Sequence, residues 1–494
     1  MSRNGFSAVW AESGVCRALD RIGPAGGRVL RESNLWRLLK KDSPLTRDWE
    51  ESHLCLLLTG LVNLPGDLIA RLRRKAPGVW DNSLVLRGLT ALSERSDILA
   101  GVLMLIMLLA PHAVWNNLYA LIGILVMLFL HAIGRREGVN RLEPKAAGPW
   151  VGLFLLGICR ALLASAEIGL SLRFFAFHLT AMLLMLLTVS SIRDYKQAHR
   201  LVWIAVAGLT AAAFYGCVQA AMGVEIVASQ QDMVLNAGMP GRIYSFFDNP
   251  NNFAEILVLL LPLDLALILN ASSPRERLLA ILCFLPCIAA LGLTYSRSSW
   301  IGFVLALMVF CAFYNWKLLP AFIALGFCCV PLLPKTIFRR ILTIGNTSDT
   351  SAIYRIAIYE ASGKLMKDYW GGGVGLGSDI LTKTFRDYPA MYDGNFPIHT
   401  HNNYLQVWAE MGLFGLLPFL GTLAHSLKNG VRQVFGAEKR LKAMLSAALG
   451  SFAGILVISF AEYTWFYPRN LFFFWFIFGL IAACVKLAKG EEKY

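Results

Sequence analysis

The sequence predicts an all-α polytopic membrane protein with about twelve transmembrane helices and a large outer loop containing amphipathic helices. Three observations carry that expectation. Of the 494 residues 56% are apolar and 16% are charged, whereas a water-soluble domain carries about 25% charged residues. The charge is also unevenly spread: residues 1–97 hold 15 Lys+Arg and 11 Asp+Glu, and the other 397 residues hold 52 charges, or 13%. Finally, the later chain contains apolar runs of about 20 residues, the length that crosses a hydrocarbon core of about 30 Å at 1.5 Å per residue. A disordered chain, a disulfide-stapled secreted scaffold and a nucleic-acid binder do not fit, because the net charge of +14 is accounted for first by membrane topology.

The expected spans lie near 98–114, 115–133, 148–166, 170–192, 201–222, 252–270, 278–296, 299–315, 317–334, 403–426, 441–462 and 470–488. Every even-numbered connection is basic. Arg135, Arg136, Arg141 and Lys145 follow span two, Arg193, Lys196 and Arg200 follow span four, and Arg275 and Arg277 follow span six. Lys428, Arg432, Lys439, Arg440 and Lys442 separate spans ten and eleven. The positive-inside rule then places these connections and both termini in the cytoplasm. The chain divides into a cytoplasmic basic tail (1–97), spans one to nine (98–334) with an outer loop at 223–251, a large extracytoplasmic loop (335–402), and spans ten to twelve with a short cytoplasmic end (403–494).

Within the tail, the pieces Leu54 to Leu64 and Leu68 to Lys75 are amphipathic. They read as helices on the inner membrane face, drawn to anionic lipid by Arg71, Arg73, Arg74 and Lys75, or as a tail folded against the inner loops. The first 30 residues lack an apolar core beside their charges, so no cleavable signal peptide is expected. Cys16 and Cys55 lie in the tail and the other eight cysteines in apolar spans, where thiols act as small hydrophobes. Disulfides and thiolate metal sites are not expected outside.

The outer loops hold the candidate chemistry. The first brings Arg242 close to Asp248, Asn249, Pro250, Asn251 and Asn252 at the start of span six. Asp248 or Asn249 can cap that helix and Pro250 fits its first turn, while the helix start beside Arg242 is also an anion site. Span seven ends in Thr294, Tyr295, Ser296, Arg297, Ser298, Ser299 and Trp300. Arg297 there is either a snorkelling cation or, among so many hydroxyls, a functional one.

The second loop carries an amphipathic helix from Ser351 to Tyr369, with Arg355 and Tyr359 on one face, and then the run Gly371 to Gly377, a lid hinge or a close-approach loop. It ends in His399, Thr400, His401, Asn402 and Asn403. The histidine pair could chelate only with a third ligand such as Asp393, and no metal is expected. A histidine at the water boundary titrates near neutrality and can accept a proton from a hydroxyl.

The order Arg242, Asp-Asn-Pro-Asn-Asn, Tyr-Ser-Arg297-Ser, Arg355, Gly-Gly-Val-Gly-Leu-Gly and His401-Asn-Asn-Tyr-Leu-Gln resembles the O-antigen ligase and polymerase superfamily over roughly residues 98–488. The resemblance implies a metal-independent, cofactor-free membrane glycosyltransferase of cell-surface polysaccharide biosynthesis. It would move a glycan from a polyprenyl diphosphate to a glycan, lipid-saccharide or protein hydroxyl at the outer face of the cytoplasmic membrane.

By position, Arg242 and Arg297 match the family's essential arginines and His401 its essential histidine, and His399 stands where the family varies. Arg355, Asn249, Asn251, Ser296, Asn402 and Tyr359 are the candidate substrate-binding residues. On this reading the arginines hold the departing diphosphate, His401 orients or deprotonates the acceptor, and the apolar spans receive the polyprenyl chain. A secondary transporter is the alternative of another class, with Arg160, Glu255, Asp264 and Glu410 as a coupling path. Ligase, polymerase and protein O-oligosaccharyltransferase remain open within the enzyme reading.

Overall fold

The computed structural model describes residues 44–136, 139–226, 238–345, 350–388 and 397–490, together with 32–34, 37 and 41. The described residues are all-helical, with no β-strand among them. In the tail the helices are α1 (Pro44–Glu50), α2 (His53–Lys75), α3 (Pro77–Asn82) and α4 (Leu84–Ser93). The bundle begins with α5 (Ser96–Leu109), α6 (Asn117–Ile133), α7 (Pro149–Leu163), α8 (Ile168–Ser191) and α9 (Tyr195–Met222). It continues with α10 (Pro250–Asn270), α11 (Pro274–Leu293), α12 (Arg297–Asn315), α13 (Leu318–Cys329) and α14 (Lys335–Leu342). Two helices, α15 (Thr350–Tyr369) and α16 (Ser378–Phe385), lie in the large loop, followed by α17 (Asn403–Met411), α18 (Leu413–Val434), α19 (Lys439–Ile458) and α20 (Pro468–Ala488).

Among the described residues, eight helices are long and apolar enough to cross a membrane, and α13 with α14, bent by 119°, make a ninth if taken as one span. Seven of the eight, α8 to α12, α19 and α20, coincide with expected spans. The eighth is α2, which the sequence places in the cytoplasmic tail, either on the membrane surface or against the inner loops. The expected twelve requires the shorter α5, α6 and α7 to cross too, along with the α17–α18 pair. At 14 residues, α5 is only about 21 Å long.

Helix α20 reads PRNLFFFWFIFGLIAACVKLA, apolar on every side, and a helix of that kind has no face to give to solvent. It is buried along nearly its whole length against α8, α19 and α18. Trp475 stacks on Phe154 of α7 at 6.2 Å, and Trp465 meets Phe419 at 5.0 Å. Lipid tails are as apolar as leucine, so helix pairing in a bilayer depends on close backbone approach. The α12–α19 pair supplies it with small residues four apart on each helix, Gly302 with Ala306 and Gly450 with Gly454. A Cβ on Gly454 would stand 2.6 Å from the Gly302 carbonyl oxygen, and one on Gly450 2.5 Å from that of Ala306.

Local chemistry sets the helix starts that face the site. Asn249 accepts from the Asn251 amide at 2.8 Å and Pro250 occupies the first turn of α10. Asn402 accepts from the amides of Tyr404 and Leu405 and so starts α17. Helix α16 is clipped to the start of α8 by ion pairs Arg173–Asp379 at 2.6 Å and Lys383–Glu167 at 2.7 Å.

Candidate functional site

Arg242 is fixed by the bend that precedes α10. Ser245 sits at φ 53°, in the left-handed region that few side chains adopt. Gln219 of α9 stabilises that bend by accepting from the Ser245 amide at 2.7 Å, and the Ser245 hydroxyl donates to the Ala212 carbonyl at 2.6 Å. The Arg242 guanidinium, only 8% exposed, donates from Nε to the Thr294 carbonyl at 2.7 Å and from Nη2 to Asn251 Oδ1 at 2.5 Å. Burial lowers its pKa to about 9, Arg340 pushes further down, and Glu462 opposes both. Arg297 and Arg355 also act on it. Four guanidinium groups therefore share one electrostatic neighbourhood.

Arg297 opens α12 and donates from Nη1 to the Thr343 carbonyl at 2.8 Å and to its hydroxyl at 3.3 Å. The sharp bend between α13 and α14 returns the chain for this contact. It also brings back Arg340, 8% exposed, whose Nε lies 3.4 Å from the Tyr295 carbonyl. The Tyr295 hydroxyl closes the same turn on Thr336 at 3.0 Å. Arg340 is not among the sequence-derived candidates. In sequence it is one of two adjacent arginines in a short basic helix, which reads as a solvated end.

The third component is a carboxylate that sequence reasoning missed. Glu462 accepts from Arg355 Nη2 at 2.6 Å and from Asn251 Nδ2 at 3.3 Å on Oε1, and its Oε2 lies 3.5 Å from His401 Nδ1. Burial alone would raise its pKa, but Arg355, then His401, hold the carboxyl at about 2. The expected span eleven ends at residue 462, which would make Glu462 a helix-end charge. The observed α19 stops at Ile458, and residues 459–467 fold back over the site instead.

His401 sits at φ 50°. Its position is set by backbone contacts: the Tyr359 hydroxyl lies 3.2 Å from the His401 carbonyl and 3.1 Å from that of Phe460, and Asn402 Nδ2 donates to the same Phe460 carbonyl at 3.0 Å. His399 lies with its ring 4.2 Å from that of His401 and accepts from the His401 amide at 3.2 Å. Burial, reinforced by His401, lowers the His399 pKa to about 3, so His399 is neutral.

Of the sequence-derived candidates, Arg242, Asn251, Arg355, Tyr359 and His401 converge on Glu462 or on the backbone beside it. Arg297, bonded to Thr343, joins them through its charge on Arg242. Asn249 and Asn402 act as helix caps, and Ser296, 3% exposed, turns inward to Ser299 at 3.0 Å.

The glycine run is a close-approach segment. Val374 and Gly375 donate to the carbonyls of Ala409 and Glu410 at 2.8 and 3.1 Å, where a Cβ on Gly373 would stand 2.4 Å from the Glu410 backbone. It packs on the break between α17 and α18, where Gly412 has φ 64°. Arg160 donates to the Gly372 carbonyl at 2.7 Å, so it anchors this run. Glu255 and Glu410 are engaged by Asn470 and Gln406 respectively. Asp264 is fully buried with no partner for either oxygen. Among the described residues no three His, Cys, Asp or Glu side chains gather as a metal site; Asp393 lies outside the described residues.

Residues 281–420 match the family model described as O-antigen ligase. The match spans Arg297, Arg340, Arg355 and His401, while Arg242 and Glu462 stand outside it in sequence and reach the same cluster through the fold. No curated protein matches the chain. The match supports the resemblance to the O-antigen ligase superfamily and, with it, a glycosyltransferase-type membrane enzyme of polysaccharide biosynthesis.

Proposed function

We propose that the protein transfers a glycan from a polyprenyl diphosphate carrier to an acceptor hydroxyl at the outer face of the bacterial cytoplasmic membrane, with Arg242, Arg297 and His401 as catalytic residues. The observation that carries this reading is the cluster of Arg242, Arg297, Arg340 and Arg355 beside a His401–Glu462 pair. A diphosphate leaving group needs charge stabilisation as its bond breaks. Planar guanidinium forks provide it, keep their charge when partly buried, and suit a site at a membrane edge.

The acceptor oxygen attacks the anomeric carbon of the donor sugar. The bond from that carbon to the phosphate oxygen breaks, and its electron pair leaves on the diphosphate between the arginines. The acceptor proton passes to His401 through Nε2, because Nδ1 faces Glu462. The Glu462 carboxylate then stabilises the imidazolium, and proton transfer of this kind contributes about 10² to 10⁴ in rate. Asn251 ties the two halves together, with Oδ1 on Arg242 and Nδ2 on Glu462. Arg355, Asn249, Ser296, Asn402 and Tyr359 complete the substrate-binding set, directly or by shaping the backbone around it.

The acceptor class is decided by deleting the gene and analysing envelope glycans. Long chains that fail to reach the surface indicate a ligase, single repeat units indicate a polymerase, and loss of glycan from protein indicates a protein transferase. Unchanged glycans in all three fractions would overturn the proposal. Transfer should also survive a chelator; full loss in EDTA, restored by zinc or magnesium, would replace the arginine mechanism with a metal-assisted one.

A further inference from the structure

A second site lies far along the chain from this chemistry. Between α2, α6 and α8 the bundle leaves an apolar groove of about 420 Å³, within the range of about 300 to 1,000 Å³ typical of ligand clefts. Leu61 and Ile69 of α2 form one wall, and Leu125, Leu128 and Phe129 of α6 with Leu183 of α8 form the other. Leu125 and Phe129 are exposed, so the groove opens toward lipid.

One end of the groove is polar. His131 and Asn140 line it. His131 is 2% exposed, and no side chain hydrogen-bonds to its ring, which the Arg141 backbone approaches. A buried imidazole left short of partners favours a ligand that completes its hydrogen bonds. The charges of Arg193 and Arg135 act on the same imidazole. Arg135 is paired with Asp67 at 3.0 Å, and Arg193 is bonded to Asn140.

The free face of α2 points to the same class of ligand. Leu57, Leu61, Leu64, Leu68 and Leu72 recur at helical spacing and all are exposed, and the helix ends in Arg71, Arg73, Arg74 and Lys75. Leucines along one side with cations at the end match an interface where acyl chains meet phosphate.

We propose that the groove binds one anionic phospholipid, with an acyl chain between α2 and α6 and the headgroup phosphate at the His131 and Asn140 end. The basic end of α2 favours anionic over zwitterionic lipid. This site is independent of the glycan-transfer reading.

The test uses the full chain in nanodiscs of phosphatidylcholine and phosphatidylglycerol, followed by native mass spectrometry after delipidation. The expected result is one phosphatidylglycerol retained per chain in preference to phosphatidylcholine. Filling the groove with Ile69→Trp, or from the same wall with Leu61→Trp, should abolish retention. Changing Arg71, Arg74 and Lys75 together to Gln should weaken the anionic preference by about a hundredfold, at roughly tenfold per 1.4 kcal/mol and about 1 kcal/mol per cation. Equal retention of both lipids by the unaltered chain, no retained lipid, or unchanged retention in both tryptophan variants would each overturn the proposal. The first two readouts need no variant, so the test stands even if a substitution prevents folding.

Discussion

Replacing Glu462 by Gln removes the charge at the centre of the site and leaves its shape. Glutamine keeps an acceptor oxygen for Arg355 and Asn251, so the change isolates electrostatics. A carboxyl held at about 2 in the folded protein against an ordinary 4.5 corresponds to about 3 kcal/mol of stability at neutral pH, at 1.36 kcal/mol per pH unit. Its side chain is 10% exposed, so water screens little of this. The folded pKa is depressed, so the contribution is fully present above pH 4.5 and drains away as pH falls toward 2. Thermal unfolding of the unaltered protein and of Glu462→Gln in one detergent, from pH 7 to pH 3, tests the sign and the size together. The variant should be less stable by about 3 kcal/mol at pH 7, and the gap should narrow below pH 4.5. Glycan transfer should fall with it, because Arg355 and His401 lose their common anchor. No gap at pH 7, or one that stays constant down to pH 3, would refute the argument that Glu462 is an ionised hub.

Three further substitutions probe the neighbouring parts. Arg297→Lys keeps the charge but loses the fork that reaches Thr343 and a phosphate at once, so transfer should drop by about 10² to 10³, and a near-normal rate would refute planar recognition. His401→Asn and His401→Ala should both lose about 10² to 10⁴ in rate. Because the position has φ 50°, which Asn tolerates and Ala does not, the alanine variant should also unfold about 1 kcal/mol more easily. Gly412→Ala combines φ 64° with a Cβ only 2.1 Å from the Gly371 carbonyl oxygen. It should cost about 3 kcal/mol or more in thermal unfolding, whereas Gly326→Ala, in open space on α13, should be neutral.

The bundle was legible where one span explains itself. The apolar run of α20 and the capped start of α10 follow from hydrophobicity and from the Asn-Pro pair, with no help from distant residues. Legibility failed where a helix end depends on tertiary return. The run 441–462 looks continuous because Ser459, Phe460 and Ala461 are compatible with a membrane helix, yet the chain leaves the helix after Ile458 so that the Ser459 carbonyl can accept from the Asn403 amide at 2.8 Å. Likewise Pro331 and Pro334 announce that the 317–334 run stops, but nothing local in it announces that the chain then bends by 119° into α14 and returns to Arg297. The tail shows the opposite difficulty. Helix α2 satisfies a length and hydropathy criterion for spanning, but its basic end and its exposure, greater than that of any of the other seven, set it apart.

Of the two residues missed in sequence, Arg340 adds to the repulsion within the cluster and Glu462 explains why it holds together. Guanidinium groups gathered at a low-dielectric edge lose hydration and repel one another, as the pKa of Arg242, depressed by burial first and by Arg340 next, reflects. A buried carboxylate with no partner would be equally costly. Glu462 resolves both problems by accepting from Arg355 and Asn251 while facing His401. Arg355 is thereby drawn toward the carboxylate, and Asn251 passes the same influence on to Arg242. In this arrangement the α10 start, the loop helix α15 and the 459–467 turn are mutually dependent, because each contributes one side chain to a single charged network. A diphosphate entering among the arginines would reinforce that network. An acceptor proton arriving on His401 would convert its 3.5 Å approach to Glu462 into a charge-assisted bond, which joins donor departure and acceptor activation through one carboxylate.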